Sequence, residues 1–187
     1  MVIRSKQRLK ISKSFNIVLV EPEIPPNTGN IARLCAATST KLHLVHPLGF
    51  KISDRELKRA GLDYWYLLDI EEHESWNVFL HRYADTPIRH FFISTRGEKN
   101  IWDVEFNPGD FLIFGSETKG LSEEILNTNK GNAISIPMNG KTRSLNLSTA
   151  VGIVLYEAIR QVTVEKKIFD IVPIENPNVG VNPCVHS

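Results

Sequence analysis

Three short segments combine amides, hydroxyls, glycines and a few charged side chains in patterns that core packing does not need. The first is Pro25-Pro26-Asn27-Thr28-Gly29-Asn30-Ile31-Ala32-Arg33. It places amides at a helix entrance and an arginine one and a half turns in. Helix N-termini attract anions and a guanidinium grips phosphate with a fork of donors, so the segment suits an anionic ligand. A capped helix with a surface arginine explains the same residues. The second is Phe114-Gly115-Ser116-Glu117-Thr118-Lys119-Gly120-Leu121, an acid in a glycine-bounded loop after an apolar run. Its glycines permit tight turns and close approach of a ligand to the backbone; a plain turn with a solvated glutamate is the alternative. The third runs from Ile136-Pro137-Met138 to Ser144-Leu145-Asn146-Leu147-Ser148. Here either a site or simple helix capping by Asn146 or Ser148 fits.

Other chemistries lose their support. There is no G-x-G-x-x-G after the first strand, no phosphate-binding G-x-x-x-x-G-K-[ST] and no G-x-S-x-G elbow. The six histidines (43, 46, 73, 81, 90 and 186) show no metal-ligand spacing. His43 and His46 read as structural, and no metal site is expected.

Strand-like and helix-like segments alternate, and these must position the three segments. Strands are expected over 15–21, 42–46, 64–68, 89–95, 110–115 and 133–136. Helices are expected from about 27 to 38, from Ser53 with Glu56 three residues on, over 71–83, from Ser122, and over 146–162. The last is the longest, with Leu147, Val151, Val154, Ala158 and Val162 on one face. Ile153, Leu155 and Ile159 fall outside that stripe and ask for a second surface. The alternation predicts an α/β domain around a mostly parallel sheet with flanking helices, and ligands bind such sheets at the carboxyl ends of the strands.

The 187 residues are 42% apolar and 23% charged, ordinary for one globular domain. No apolar run approaches a membrane span, and no secretory signal is expected. Two distant cysteines, Cys35 and Cys184, fit a reduced cytoplasmic protein. Residues 1–13 carry Arg4, Lys6, Arg8, Lys10 and Lys13 and no acid; the rest has 17 basic against 21 acidic residues, a net charge of −4. The organisation expected is a basic arm over 1–13, a domain over 14–163 and an irregular tail over 164–187. The arm is either solvated or a grip for a polyanion.

In this order and spacing the three segments resemble the motifs of the SPOUT methyltransferases, in the SpoU branch. The opening VLVEPEIPPNTGNIARLCAAT, with LHLVHPLGF and RAGLDYW after it, is more narrowly similar to the TrmL type. The resemblance covers roughly residues 15–163. It implies a C-terminal trefoil knot, a homodimer, and S-adenosylmethionine as cofactor. The activity implied is 2′-O-methylation of tRNA at the wobble nucleotide, cytidine or uridine 34. By motif, the cofactor falls to Ile93, Ser94, Thr95, Gly115, Glu117, Ile136, Met138, Ser144 and Leu145. Catalysis and RNA contact fall to Asn27, Arg33, Glu117, Ser144 and Asn146. The loop over 139–143 is a variable stretch, and its basic residues Lys141 and Arg143 are candidates for phosphate contact. Three rivals stay open: a methyltransferase of the same branch acting on another tRNA position or on rRNA, a catalytically silent RNA-binding module, and a nucleotide-dependent oxidoreductase.

Overall fold

The computed structural model describes residues 7–11, 14–52, 68–166 and 169–173. The helix expected from Ser53 and most of the strand expected over 64–68 lie outside the described residues. Among the described residues, strands β1 (Gln7–Ile11), β2 (Asn16–Val20), β3 (Lys41–Val45), β4 (Ile70–His73), β5 (His90–Ile93), β6 (Lys99–Asn100), β7 (Phe111–Phe114), β8 (Ala133–Ser135) and β9 (Phe169–Pro173) accompany four α-helices. These are α1 (Pro25–Thr38), α2 (Trp76–Tyr83), α3 (Glu123–Thr128) and α4 (Leu147–Lys166).

Seven strands form one sheet in the order β4-β3-β2-β7-β5-β8-β6, and every pairing in it is parallel. Alternation along each strand explains the layers. Ile17, Leu19, Leu42, Leu44, Leu112 and Phe114 face α1 and α4. Val18, Val20, Val45, Phe92 and Ile113 face Phe79 of α2 and Ile125 and Leu126 of α3. The sheet is therefore buried on both faces, as an α/β fold requires.

Three expectations change. Residues 71–83 are not one helix: Glu71 to His73 belong to the edge strand β4, and α2 begins only after Ser75, whose hydroxyl accepts from the Val78 N–H at 3.3 Å. The acids there pair across strands rather than serving a helix N-terminus. On α4, Leu155 and Ile159 are buried in the chain's own core, because α1 packs beside that helix; only Ile153 and Tyr156 of the flanking apolar residues stay exposed. The tail expected to be irregular instead continues α4 to Lys166 and adds β9, which pairs antiparallel with β1 inside the basic arm, Leu9 opposite Ile171. Phe169, Ile171 and Val172 supply strand-forming residues that the three prolines of the tail conceal. Among the described residues, no helix is long and apolar enough to cross a membrane.

Candidate active site

The carboxyl ends of β5, β7 and β8 and the N-terminal ends of α1 and α4 enclose a cavity of about 480 Å³. Ile93, Ser94, Thr95, Gly115, Glu117, Ile136, Met138, Ser144 and Leu145 all line it, together with Asn27 and Asn146. The three segments and the end of β5, far apart in sequence, thus line one cavity. Arg33 does not line the cavity; it sits on the exposed face of α1, beyond Asn27 along the helix.

The polar residues are tied to each other. Glu117 accepts from the backbone N–H of Glu23 at 2.8 Å, from that of Ile24 at 3.3 Å and from the Asn27 amide at 2.9 Å. The Asn27 carbonyl oxygen accepts from Asn146 Nδ2 at 2.9 Å. Asn146 Oδ1 accepts from the Ser148 N–H and hydroxyl at 2.9 and 2.7 Å and from the Thr149 N–H at 3.3 Å, capping α4. One chain of hydrogen bonds therefore runs from the 115–120 loop through the start of α1 to the start of α4.

This network redefines the helix entrance. Helix α1 has no side-chain cap of its own and no acid in its first turn. The anion its N-terminus attracts is the protein's own Glu117, supplied from another loop. Asn27 and Asn146 likewise engage both the oxygen and the nitrogen of their amides inside the network. The glycines also have a local reason. A Cβ on Gly115 would lie 2.0 Å from the backbone carbon of Gly120, and Gly120 takes φ +69°. The Gly120 N–H donates to the Ser116 carbonyl at 2.9 Å, closing a tight turn with Glu117 and Thr118 at its tip. The glycines make that turn, and the turn aims the carboxylate.

Cations gather at the mouth: Arg96, Lys119 and Arg143 line the cavity, and Arg96 pairs with Glu123 at 3.2 Å while its side chain stays 60% exposed. Lys141 lies on the same exposed loop as Arg143. Phe114, Leu121, Leu147 and Ala150 supply apolar wall.

A second polar cluster runs from Asn16 and Lys41, at the amino ends of β2 and β3, through His43 to Glu71 and His73 of β4. Asn16 Nδ2 donates to the Gly109 carbonyl at 3.1 Å, which turns Asn16 Oδ1 toward His43 Nε2 at 3.2 Å. His43 must then donate from Nε2 and accept at Nδ1, where His73 Nε2 lies 3.1 Å away. Burial first, then the neighbouring His73 and Lys41, push His43 down to about 3. Ligand-type atoms of His43, Glu71 and His73 lie within 4.8 Å of one another, a grouping the spacing of these residues did not suggest. The ring centroids are 5.3 Å apart against 3.1 Å for the nitrogens, so the nitrogens face each other across one shared proton. Glu71 is meanwhile held by Lys41 at 2.8 Å, Tyr83 at 3.0 Å and Arg82. Burial raises the Glu71 carboxyl, but those hydrogen bonds and charges outweigh it and hold it below its ordinary range. Each of the three residues thus has a hydrogen-bond or ion-pair partner within the cluster.

The model of the SpoU rRNA Methylase family matches residues 14–156. The chain belongs to the SpoU methylase family. Within that family, a Saccharophagus degradans protein named tRNA (cytidine(34)-2′-O)-methyltransferase is 49% identical over 148 residues, covering 79% of this chain and 95% of its own. A Yersinia pestis protein of the same name is 48% identical over 151 residues, covering 79% and 93%. A solved structure described as giving insight into the 2-OH methylation of C/U34 on tRNA is 47% identical, with TM-score 0.78 over 81% of this chain and 98% of that one. The SpoU methyltransferase AviRb from Streptomyces viridochromogenes, in complex with the cofactor AdoMet, is 28% identical, with TM-score 0.70 over 83% and 61%.

Within this SpoU-family site, sequence reasoning missed Glu23 and Thr118, whose side chains meet, and Arg96 at the mouth. A signal for Glu23 was available: it is an acid held between Pro22 and Pro25, directly before the amide-rich helix entrance.

Proposed function

We propose that this protein transfers a methyl group from S-adenosylmethionine to the ribose 2′-oxygen of nucleotide 34, cytidine or uridine, in tRNA. The observation that carries the reading is the near full-length likeness to relatives bearing that name, 46–49% identical over at least 90% of their own length. The cavity supports it. A volume of about 480 Å³ falls in the range of small-molecule sites. Ile93, Phe114, Ile136 and Leu145 offer apolar cover for a nucleoside, while Ser94, Thr95 and Ser144 offer hydroxyls. That mixture fits a cofactor that joins adenosine to a charged amino acid.

When bound, the cofactor supplies an electrophilic methyl group. The chain's own task is to bring a ribose hydroxyl into line and to accommodate the charge that grows on its oxygen. Arg33 is assigned the clamp on the target phosphate and the stabilisation of that oxygen. It is not the base, because a guanidinium does not deprotonate in proteins. The proton passes to a phosphate oxygen of the RNA or to water. Ser144, exposed at the cavity, is assigned to the ribose. Glu117, Asn27 and Asn146 position the loops that bear these groups.

Arg33 lies outside its own chain's cavity, which favours a homodimer. The exposed faces of α1 and α4, with Arg33, Ile153 and Tyr156, would then meet a second copy. The trefoil knot and a cytoplasmic location belong to the same reading. The test is mass-spectrometric mapping of 2′-O-methyl groups on tRNA incubated with purified protein and S-adenosylmethionine. A single new methyl at nucleotide 34 is expected; a methyl at another position, or on rRNA alone, overturns the wobble assignment. Sedimentation of an active species at 21 kDa overturns the dimer.

A further inference from the structure

Two glutamates are crossed between the start of α1 and the 115–120 loop. The Glu117 carboxylate accepts from the backbone N–H groups of Glu23 and Ile24, at 2.8 and 3.3 Å. In return the Glu23 carboxylate accepts from the Thr118 backbone N–H at 3.2 Å and from the Thr118 hydroxyl. Each acid ties down the backbone of the segment that carries the other. Segment 22–24 is also fixed from behind. The Gly49 N–H donates to the Pro22 carbonyl at 2.9 Å, and a Cβ on Gly49 would lie 2.7 Å from the Glu23 Cα. Glu23 therefore reaches from a rigid base toward the tip of a turn that forms one cavity wall, since Thr118 lines the cavity and Glu23 does not.

We propose that Glu23 is a positioning residue that holds Thr118, and with it the cavity wall, in the cofactor-accepting shape before the cofactor arrives. The inference rests on reading the cavity as the S-adenosylmethionine site. Its physical basis is preorganisation: a wall fixed in advance loses less freedom when the ligand binds. Glu117 alone leaves the tip tied on one side, and the second carboxylate fixes its rotation.

The test is calorimetric titration of S-adenosylmethionine into the full-length wild type, Glu23→Ala, Glu23→Gln, Thr118→Val, Thr118→Ser and the Glu23→Ala/Thr118→Val pair, with thermal midpoints measured alongside. Glu23→Ala and Thr118→Val should each weaken binding by about tenfold, as expected for a hydrogen bond to a charged group. The double variant should be no weaker than Glu23→Ala alone, because that change already removes both bonds to Thr118, the one to the hydroxyl included. Thr118→Ser should bind like the wild type, and Glu23→Gln, which keeps one acceptor, should fall between. Midpoints should stay close to the wild type, which a purely structural role would not allow. Additive losses, or Glu23→Ala and Glu23→Gln both binding as the wild type does, overturn the clasp alone. A wild type that does not bind the cofactor overturns the cofactor reading as well.

Discussion

The molecule carries two polar clusters on one sheet, and they solve opposite problems. At the carboxyl edge, Glu117, Asn27 and Asn146 bridge three chain segments around an open cavity. Toward the amino edge, Asn16, His43, His73, Glu71 and Lys41 satisfy each other within the packed layer beneath α2. In the first, hydrogen bonds hold loops whose side chains pack little, so removing a member shifts geometry. In the second, His43 and His73 are taken from water, so removing a member strands a partner and costs stability. A buried polar network is thus no sign of a reaction site by itself. What marks the carboxyl-edge cluster is that it joins separate segments beside a cavity.

The sharpest break between the two comes from Arg33→Ala. Turnover should fall by about 100- to 1000-fold, the usual loss of a group that stabilises developing charge. S-adenosylmethionine binding and the thermal midpoint should hold. Methyl-transfer rates with a saturating tRNA, beside calorimetry, check both; retained turnover removes Arg33 from the reaction.

His43→Ala should do the reverse. It strands Asn16 Oδ1 and His73 Nε2 and opens a cavity, for a loss of about 3 kcal/mol. Denaturant unfolding reads that loss. The rate per folded molecule should be unchanged, and a drop in it would mean the two clusters are coupled.

The amino-edge cluster also gives the protein an acid limit. His43 titrates at about 3 in the folded state, against 6.5 for an unperturbed histidine, so the unfolded chain takes up this proton first. The groups facing it are His73, Lys41, Glu71 and Arg82, and burial outweighs them all. The His43 contribution is therefore present in full well above pH 6.5 and is lost as pH falls toward 3. His43 alone removes about 2 kcal/mol between pH 6.5 and 5. His73 and His90 are also lowered, mainly by burial, and act in the same direction. Unfolding midpoints in denaturant across pH 8 to 5 test this, and a flat profile contradicts it. His43→Phe, which keeps the volume and removes the titration, should flatten the slope.

Much of this architecture was legible in the residues. Alternating apolar strands and the stripe on α4 gave the layers because periodicity reports burial directly. The three motifs gave the cavity lining because amides, hydroxyls and glycines at strand ends have little packing reason to be there. What stayed hidden depends on distant partners. Glu71 and Glu72 look like the first turn of a helix until β3 pairs with them. Leu155 and Ile159 look like interface until α1 covers them. The entrance to α1 looks like a site for a foreign anion until Glu117, some ninety residues on, occupies it.

Asn146→Asp is the finest cut at the carboxyl edge. Aspartate keeps the oxygen that caps α4, and its charge suits a helix N-terminus, so stability should change by no more than about 0.5 kcal/mol. It loses the Nδ2 donor to Asn27, and two oxygens then face each other where one hydrogen bond stood. Asn27 gives way, and the Glu117 contact with it. Turnover should fall by about tenfold, the size of one hydrogen bond in a polar setting. The loss should depend on pH, because a protonated carboxyl has a donor again. The ratio of variant to wild-type kcat should therefore hold steady down to about pH 5.5 and climb about threefold by about pH 4.5, as the carboxyl range near 4 is approached. Using the ratio cancels the acid limit set by His43, which both proteins share. A ratio that stays constant would mean that the lost amide served something other than the Asn27 hydrogen bond, and would move Asn146 from positioning to direct contact with the ribose.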